Sequence, residues 1–362
     1  MSHSLPKLDF SQYQPDNPEK KETTEAFLKS LYETMHDIGF FYITGHGIPL
    51  AWQNEALACS KSFFALPTDI KSKVAMAQSP HYRGYTKLNG ETTDYKQDNR
   101  ETFDISKEYP TPPPGAPGYQ YMRGPNQWPA ELPGFKPVIM RLLVAMQQVG
   151  LRLLRAMAQS LKIDEDDFMA MFGDDLGMRM KLTYYPGQTN VKDKPLEHGL
   201  GVGPHKDYGF LALLLQDQVG GLQVQRLSDG EWLDASPIED TFVVNIGEIF
   251  ERLTRRRFIA TVHRVLTNGK HDRYSIPLFL APHNQCKVPQ LDRFFPLEND
   301  KRGQVADVKE DQLLQGEVYG ENEFKGYRRS HVAVTNKWFF YDDTRANWFL
   351  RPASITQHSI IS

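Results

Sequence analysis

Three short segments hold residue types that can assemble into a reaction centre. In Gly203-Pro204-His205-Lys206-Asp207 the imidazole and the carboxylate stand two residues apart, so an extended chain sends both from one face and Lys206 from the other. His263, in Ala260-Thr261-Val262-His263-Arg264-Val265, follows several strand-like segments later, where a folded sheet can return it to the first pair. Two neutral imidazoles and one carboxylate hold a divalent ion with a single formal negative charge and leave positions open, the facial set that suits Fe(II) and O2 chemistry. The same ligands plus one water also serve tetrahedral zinc, so the triad alone does not choose the metal.

The third segment, Arg273-Tyr274-Ser275-Ile276-Pro277, places Arg273 and Ser275 on a common strand face. A guanidinium forks onto a carboxylate, and a serine hydroxyl can donate one more hydrogen bond to the same group. A dicarboxylic 2-oxo acid would bridge the two sites, chelating the metal at one end and pairing with Arg273 at the other. The plainer alternative for Arg273 is an ordinary salt bridge to a nearby Asp or Glu.

These residues need a scaffold, and 362 residues with 40% hydrophobic content are enough for a large core. Apolar residues recurring along one face predict helices over Pro18 to Ile38 and Phe135 to Leu161, and a second helix is read from Ala51 to Phe64, before Pro67. After Gly177 the pattern changes: Met178, Met180, Leu182 and Tyr184 alternate with Arg179, Lys181, Thr183 and Tyr185, the period of a strand. Strand signals follow at Phe210 to Leu215, Leu222 to Gln225, Trp232 to Ala235, Phe242 to Ile246, Ala260 to Leu266 and Tyr274 to Leu280, with an earlier one at Phe40 to Thr44. The expected fold class is α+β: a distorted double-stranded β-helix, or jelly roll, behind a helix-rich N-terminal region and before a helical and irregular tail. The expected division is 1–134 with a polar, Pro- and Gly-rich covering loop from about Thr86 to Pro133, a long support helix and a short helix in 135–176, the core in 177–302 and the tail in 303–362.

A formal charge of −3, from 42 basic and 45 acidic residues, offers no field to recruit nucleic acid or an anionic membrane, so a small-molecule partner is expected. Two cysteines are too few for a disulfide framework, and the start of the chain lacks an apolar leader, which together point to the cytoplasm. Nothing in the sequence sets the oligomeric state.

The same motifs carry a family resemblance. Asp37-Ile38-Gly39-Phe40-Phe41-Tyr42-Ile43, Gly45-His46-Gly47-Ile48, Lys181-Leu182-Thr183-Tyr184-Tyr185-Pro186, His205-Lys206-Asp207-Tyr208-Gly209, Gly220-Gly221-Leu222-Gln223-Val224, Asn245-Ile246-Gly247 and the segments around His263 and Arg273 occur in order along most of the chain. It resembles the isopenicillin N synthase-like branch of the Fe(II)/2-oxoglutarate-dependent dioxygenases. The resemblance implies Fe(II) on His205, Asp207 and His263, 2-oxoglutarate as cosubstrate beside Arg273, Ser275 and Tyr185, and O2 as oxidant. It implies decarboxylation of 2-oxoglutarate to succinate and CO2 coupled to oxidation of a small molecule, with hydroxylation expected ahead of desaturation or ring closure. Two departures are Glu248, where the family commonly has Asp, and Arg255-Arg256, where an Asn-Gly turn is usual.

Two other functions fit the same residues: an oxidase or cyclase of this fold that needs no 2-oxoglutarate, and a catalytically idle metal-bound ligand-binding protein. Substrate-facing candidates are Tyr208 and Phe210 beside the ligands, Phe103 in the covering segment, and Tyr327 and Phe339 in the tail.

Overall fold

The computed structural model describes residues 4–93, 96–173, 175–187, 199–267, 270–287 and 318–352. Residues 303–317 and 353–362 of the expected tail lie outside that set. The strands, in chain order, are β1 Lys7–Asp9, β2 Phe40–Thr44, β3 Gly84–Thr86, β4 Thr92–Thr93, β5 Lys96–Gln97, β6 Glu101–Ile105, β7 Gly177–Tyr185, β8 Leu200–His205, β9 Leu211–Gln216, β10 Leu222–Gln225, β11 Trp232–Asp234, β12 Phe242–Ile246, β13 His263–Leu266, β14 Arg273–Ala281, β15 Phe339–Asp342 and β16 Asn347–Leu350. Eight of them form one sheet in the order β1-β2-β12-β9-β14-β7-β6-β3, and four form a second, β11-β10-β13-β8.

The helices are α1 Lys21–Asp37, α2 Leu50–Phe64, α3 Thr68–Lys73, α4 Phe135–Ser160, α5 Glu165–Met169, α6 Glu248–Leu253, α7 Tyr319–Ser330 and α8 Val332–Trp338. By length and composition α4 is apolar enough to cross a membrane. In the fold its buried stripe, which includes Ile139, Leu142, Met146, Leu153 and Met157, packs on the large sheet instead. Gly150 permits the approach: a Cβ there would stand 2.1 Å from Leu280 Cδ1.

The alternation in β7 decides which way the large sheet faces. Met178, Met180 and Leu182 belong to the core shared with the helices, while Arg179, Lys181, Thr183 and Tyr185 line a cavity. In β14, Arg273, Ser275, Pro277 and Phe279, every second residue, line the same cavity, and Leu280 and Ala281 reach it at the strand's end. Its opposite wall comes from the small sheet through Val202, His205, Leu222, His263 and Val265.

The stretch from Thr86 to Pro133 is not one covering loop. Its strand β6 pairs with β7 and β3 inside the large sheet, Phe103 opposite Leu182 and Tyr85. Its polar sequence misleads because Asp104, fully buried, ion-pairs with Arg179 and Lys181. The tail also carries more order than expected, since β15 and β16 form a hairpin after α8. At the departure from the family turn, Arg255 and Arg256 take φ of +47° and +61°, a left-handed conformation that costs roughly 1–2 kcal/mol per non-glycine residue.

Gly39, which ends α1, has φ +63°, and a Cβ there would fall 1.8 Å from the Ile259 carbonyl oxygen. Gly39→Ala therefore lowers the unfolding free energy by roughly 2–3 kcal/mol, through the left-handed backbone plus the clash. Gly47→Ala, with φ +83° and open space around it, loses only about 1 kcal/mol. Urea unfolding of the two variants checks this, and equal midpoints would remove the close approach as the cause.

Candidate metal centre

The antiparallel pairing of β8 with β13 sets His205 directly opposite His263. Their ring centroids are 4.3 Å apart. Asp207, just past the end of β8, brings Oδ1 to 3.9 Å from His205 Nε2 and 3.7 Å from His263 Nε2. One ligand atom from each of the three lies within 4.8 Å of the others.

Each ligand candidate is oriented by a second contact. His205 Nδ1 sits 2.8 Å from the Gly203 carbonyl and His263 Nδ1 3.1 Å from the Thr261 carbonyl. Both carbonyls demand a proton on Nδ1, which leaves the Nε2 lone pairs turned to the common point. Asn245 Nδ2 donates to Asp207 Oδ2 at 2.6 Å, so Oδ1 is the oxygen left for an ion. Phe40 stacks obliquely against His263, with centroids 5.1 Å apart. Burial, followed by the neighbouring His263, pulls the His205 pKa down to about 3, so its imidazole is neutral and ready to ligate. Asn245 stood in the sequence only as part of a motif; its role emerges from β12 running beside β9.

Across the cavity Arg273 is 1% exposed. It donates from Nη1 to Ser275 Oγ at 3.2 Å and from Nη2 to Gln216 Oε1 at 3.2 Å, and its buried Nε has no partner. Tyr185 pairs with it across β7 and β14, its ring centroid 5.0 Å from the guanidinium carbon. Among the described residues no carboxylate comes within ion-pair distance of Arg273. Among those residues the local salt bridge that was the alternative is therefore not formed. Asp217, whose carboxyl feels the Arg273 charge, accepts from the Tyr274 and Val219 backbone N–H groups instead. Because Ser275 Oγ accepts from Arg273, its own proton is free to be donated into the cavity.

The cavity between the sheets measures about 390 Å³. One wall is a buried charge network. Lys181 Nζ lies 2.5 Å from Glu91 and 3.2 Å from Asp104, Arg100 bridges Glu91 at 3.0 Å and Asp98 at 2.8 Å, and His331 Nε2 meets Glu91 at 3.2 Å. Glu91 is held well below the usual carboxylate range by Lys181 and Arg100, against the opposing pull of burial. Sequence reasoning missed this wall because pattern rules place charges outside.

Of the substrate-facing candidates, Tyr208 and Tyr327 line the cavity. Phe103, Phe210 and Phe339, expected to face substrate, do not. Phe103 packs between Phe63 and Phe135, Phe210 against Phe172 and Phe250, and Phe339 among Tyr82, Tyr121 and Phe324. Each is fully buried in core, where a large apolar ring stabilises most.

Residues 177–282 match the family model of the 2OG-Fe(II) oxygenase superfamily, and residues 5–131 match the non-haem dioxygenase in morphine synthesis N-terminal model. The chain belongs to the 2OG-Fe(II) oxygenase superfamily. Members use Fe(II), 2-oxoglutarate and O2. The 2-oxoglutarate-dependent dioxygenase frbJ of Dothideomycetidae sp. (strain 11243) is 36% identical over 354 residues, spanning 95% of this chain and 94% of its own. The homoarginine-6-hydroxylase 2-ODD-C23.1 of Arabidopsis thaliana is 32% identical, spanning 88% and 95%. Among solved structures, a full-length Neurospora crassa protein in complex with alpha-KG superposes with TM-score 0.69 at 25% identity, covering 89% of this chain and 95% of that one. The oxygenase is thus 2-oxoglutarate-dependent, and the 2-oxoglutarate-independent and idle alternatives lose their support.

Replacing Asn245 by Ala frees Asp207 to turn, while the two imidazoles stay held by the Gly203 and Thr261 carbonyls. Fe(II) affinity should fall roughly 10- to 100-fold, the range for second contacts of metal ligands, with the fold intact. Anaerobic Fe(II) titration checks this, and wild-type affinity would remove Asn245 from the centre.

Proposed function

We propose that His205, Asp207 and His263 bind Fe(II), that Arg273 with Ser275 and Tyr185 binds the far carboxylate of 2-oxoglutarate, and that the enzyme hydroxylates a small organic molecule. The observation that carries this is Arg273: a guanidinium buried with one N–H unpartnered, facing the three ligand candidates across a single cavity. A buried, uncompensated cation is costly, and a dicarboxylate end group supplies its missing counter-charge.

When bound, Fe(II) supplies the redox chemistry that couples 2-oxoglutarate decarboxylation, giving succinate and CO2, to O2-dependent oxidation. The chain's own work is placement. Gly203 and Thr261 fix the two imidazoles, Asn245 fixes the carboxylate, and Arg273 with Ser275 sets the depth of the cosubstrate. Phe40, Val202, Leu214, Leu222 and Val265 line the cavity with apolar surface that excludes water.

A small-molecule substrate is supported by the same Neurospora crassa protein, solved in complex with alpha-KG and thymine (TM-score 0.66, 28% identity). Hydroxylation is supported by the name of the Arabidopsis relative. Membership of the isopenicillin N synthase-like branch is supported by the order of motifs from Asp37 to Pro277. Cytoplasmic residence is supported by Cys59 and Cys286, both free thiols.

Arg273→Leu leaves the far carboxylate desolvated and unpaired, a loss on the order of 3–5 kcal/mol, or more than a hundredfold in apparent 2-oxoglutarate affinity. Iron binding persists, and Ser275→Ala shows a milder form of the defect. Succinate formation against 2-oxoglutarate concentration at saturating iron is the assay. An unchanged dependence in Arg273→Leu removes Arg273 from the site, and wild-type turnover without 2-oxoglutarate overturns the reading.

A further inference from the structure

Nearly every charged group on the cavity wall has an opposite charge within reach. Glu91 has Lys181 and Arg100, Arg179 has Asp104, and Lys206 lies 3.4 Å from Glu251. Of the rest, Asp207 belongs to the proposed iron site and Arg273 to the proposed 2-oxoglutarate site. One charge remains. Glu323, on α7, lines the same cavity, and no described residue gives its carboxylate a hydrogen bond or an ion-pair contact.

The surroundings of Glu323 do not supply a partner. The guanidiniums of Arg83, Arg179 and Arg123 act on it only at a distance. Arg179 is bound to Asp104 and Arg123 to Asp175, while Arg83 donates to the Tyr82 and Met122 carbonyls, lines a second small pocket together with Glu323 and has no carboxylate within ion-pair distance among the described residues. Burial dominates and raises its carboxyl pKa, the sign of an acid that lacks stabilising donors. Its charge reaches Tyr208, Tyr319 and Tyr327, three rings that line the cavity and whose hydroxyls make no hydrogen bond to any described residue. Tyr208 follows the ligand candidate Asp207 in the chain, so this polar and aromatic corner adjoins the metal centre. A carboxylate among tyrosine rings is the chemistry that receives an organic cation, by charge-assisted hydrogen bonds to the acid and by attraction to the ring faces.

We propose that Glu323, set among Tyr208, Tyr319 and Tyr327, is the specificity-determining residue of the substrate end of the cavity, and that it selects substrates carrying an ammonium or guanidinium group. The inference rests on the assignment of the remaining cavity to Fe(II) and 2-oxoglutarate. The cationic group pairs with Glu323 and thereby presents the neighbouring carbon chain to the iron side. Glu323 takes no part in the oxidation itself.

The test uses butylguanidinium and its neutral isostere butylurea as probes. Each is titrated calorimetrically, without O2, into the full-length protein holding Fe(II) and 2-oxoglutarate. The cation should bind about tenfold or more tightly than the urea, the worth of one charge-assisted contact. In Glu323→Gln that preference should vanish, with folding checked by the thermal melting midpoint. Equal binding of the two probes by the wild type overturns the proposal, as does binding of neither, and so does a preference that survives in Glu323→Gln. Succinate formed from Fe(II) and 2-oxoglutarate without any probe is measured alongside. Its presence keeps the iron and 2-oxoglutarate assignment standing when the probes fail, and its absence overturns that assignment together with the proposal that rests on it.

Discussion

The register between β8 and β13 is the constraint on which the site depends. It places His205 opposite His263 at the strand ends. A slip by one residue would turn either imidazole to the other face of the sheet and leave Asp207 without a partner. The same sheet carries Val202, Leu222 and Val265 inward, so the pairing that aligns the ligand candidates also builds the apolar floor beside them. Arg273 and Ser275 are fixed from the other side by the pairing of β14 with β7 and β9, where Ser275 lies opposite both Thr183 and Gln216. Two independently registered sheets thus face each other across one cavity, each carrying one half of the chemistry.

That arrangement reverses the usual polarity of a sheet. The large sheet keeps its apolar face for the helices and turns its charged face inward, so Lys181 and Asp104 are buried as a set together with Glu91. Buried ion pairs are weak sources of stability because desolvation offsets attraction. Their value here is placement. Glu91 ties the segment before β4 to β7 through Lys181 and to the end of α7 through His331, so three separate parts of the chain meet at one carboxylate on the cavity wall.

Much of this was legible in the sequence, for identifiable reasons. The helices α1 and α4 carry long 3.6-residue stripes and β7 alternates, so their faces followed from period alone. His205 with Asp207 and Arg273 with Ser275 were visible because a spacing of two residues in extended chain fixes a shared face, and His263 because it stands in a later strand-like segment that a folded sheet can return to the first pair. Strands β6 and β8 were not. The first is short and carries Asp104 into the interior, and the second, Leu200–His205, holds glycine and proline and so looks like loop. Direction was the harder problem for aromatics: Phe103, Phe210 and Phe339 advertise burial, and only the packing shows that they face core rather than cavity. Glu323 gave no signal at all, since its meaning comes from the absence of a direct ion-pair contact to it among the described residues, a property of the assembled cavity.

The most direct test is a crystal structure of the protein grown without O2 in the presence of Fe(II) and 2-oxoglutarate. The account predicts iron bound through His205 Nε2, Asp207 Oδ1 and His263 Nε2, with the far carboxylate of 2-oxoglutarate hydrogen-bonded to the Arg273 guanidinium and the Ser275 hydroxyl. Iron held by a different set of side chains, or a 2-oxoglutarate carboxylate lying away from Arg273, would contradict it.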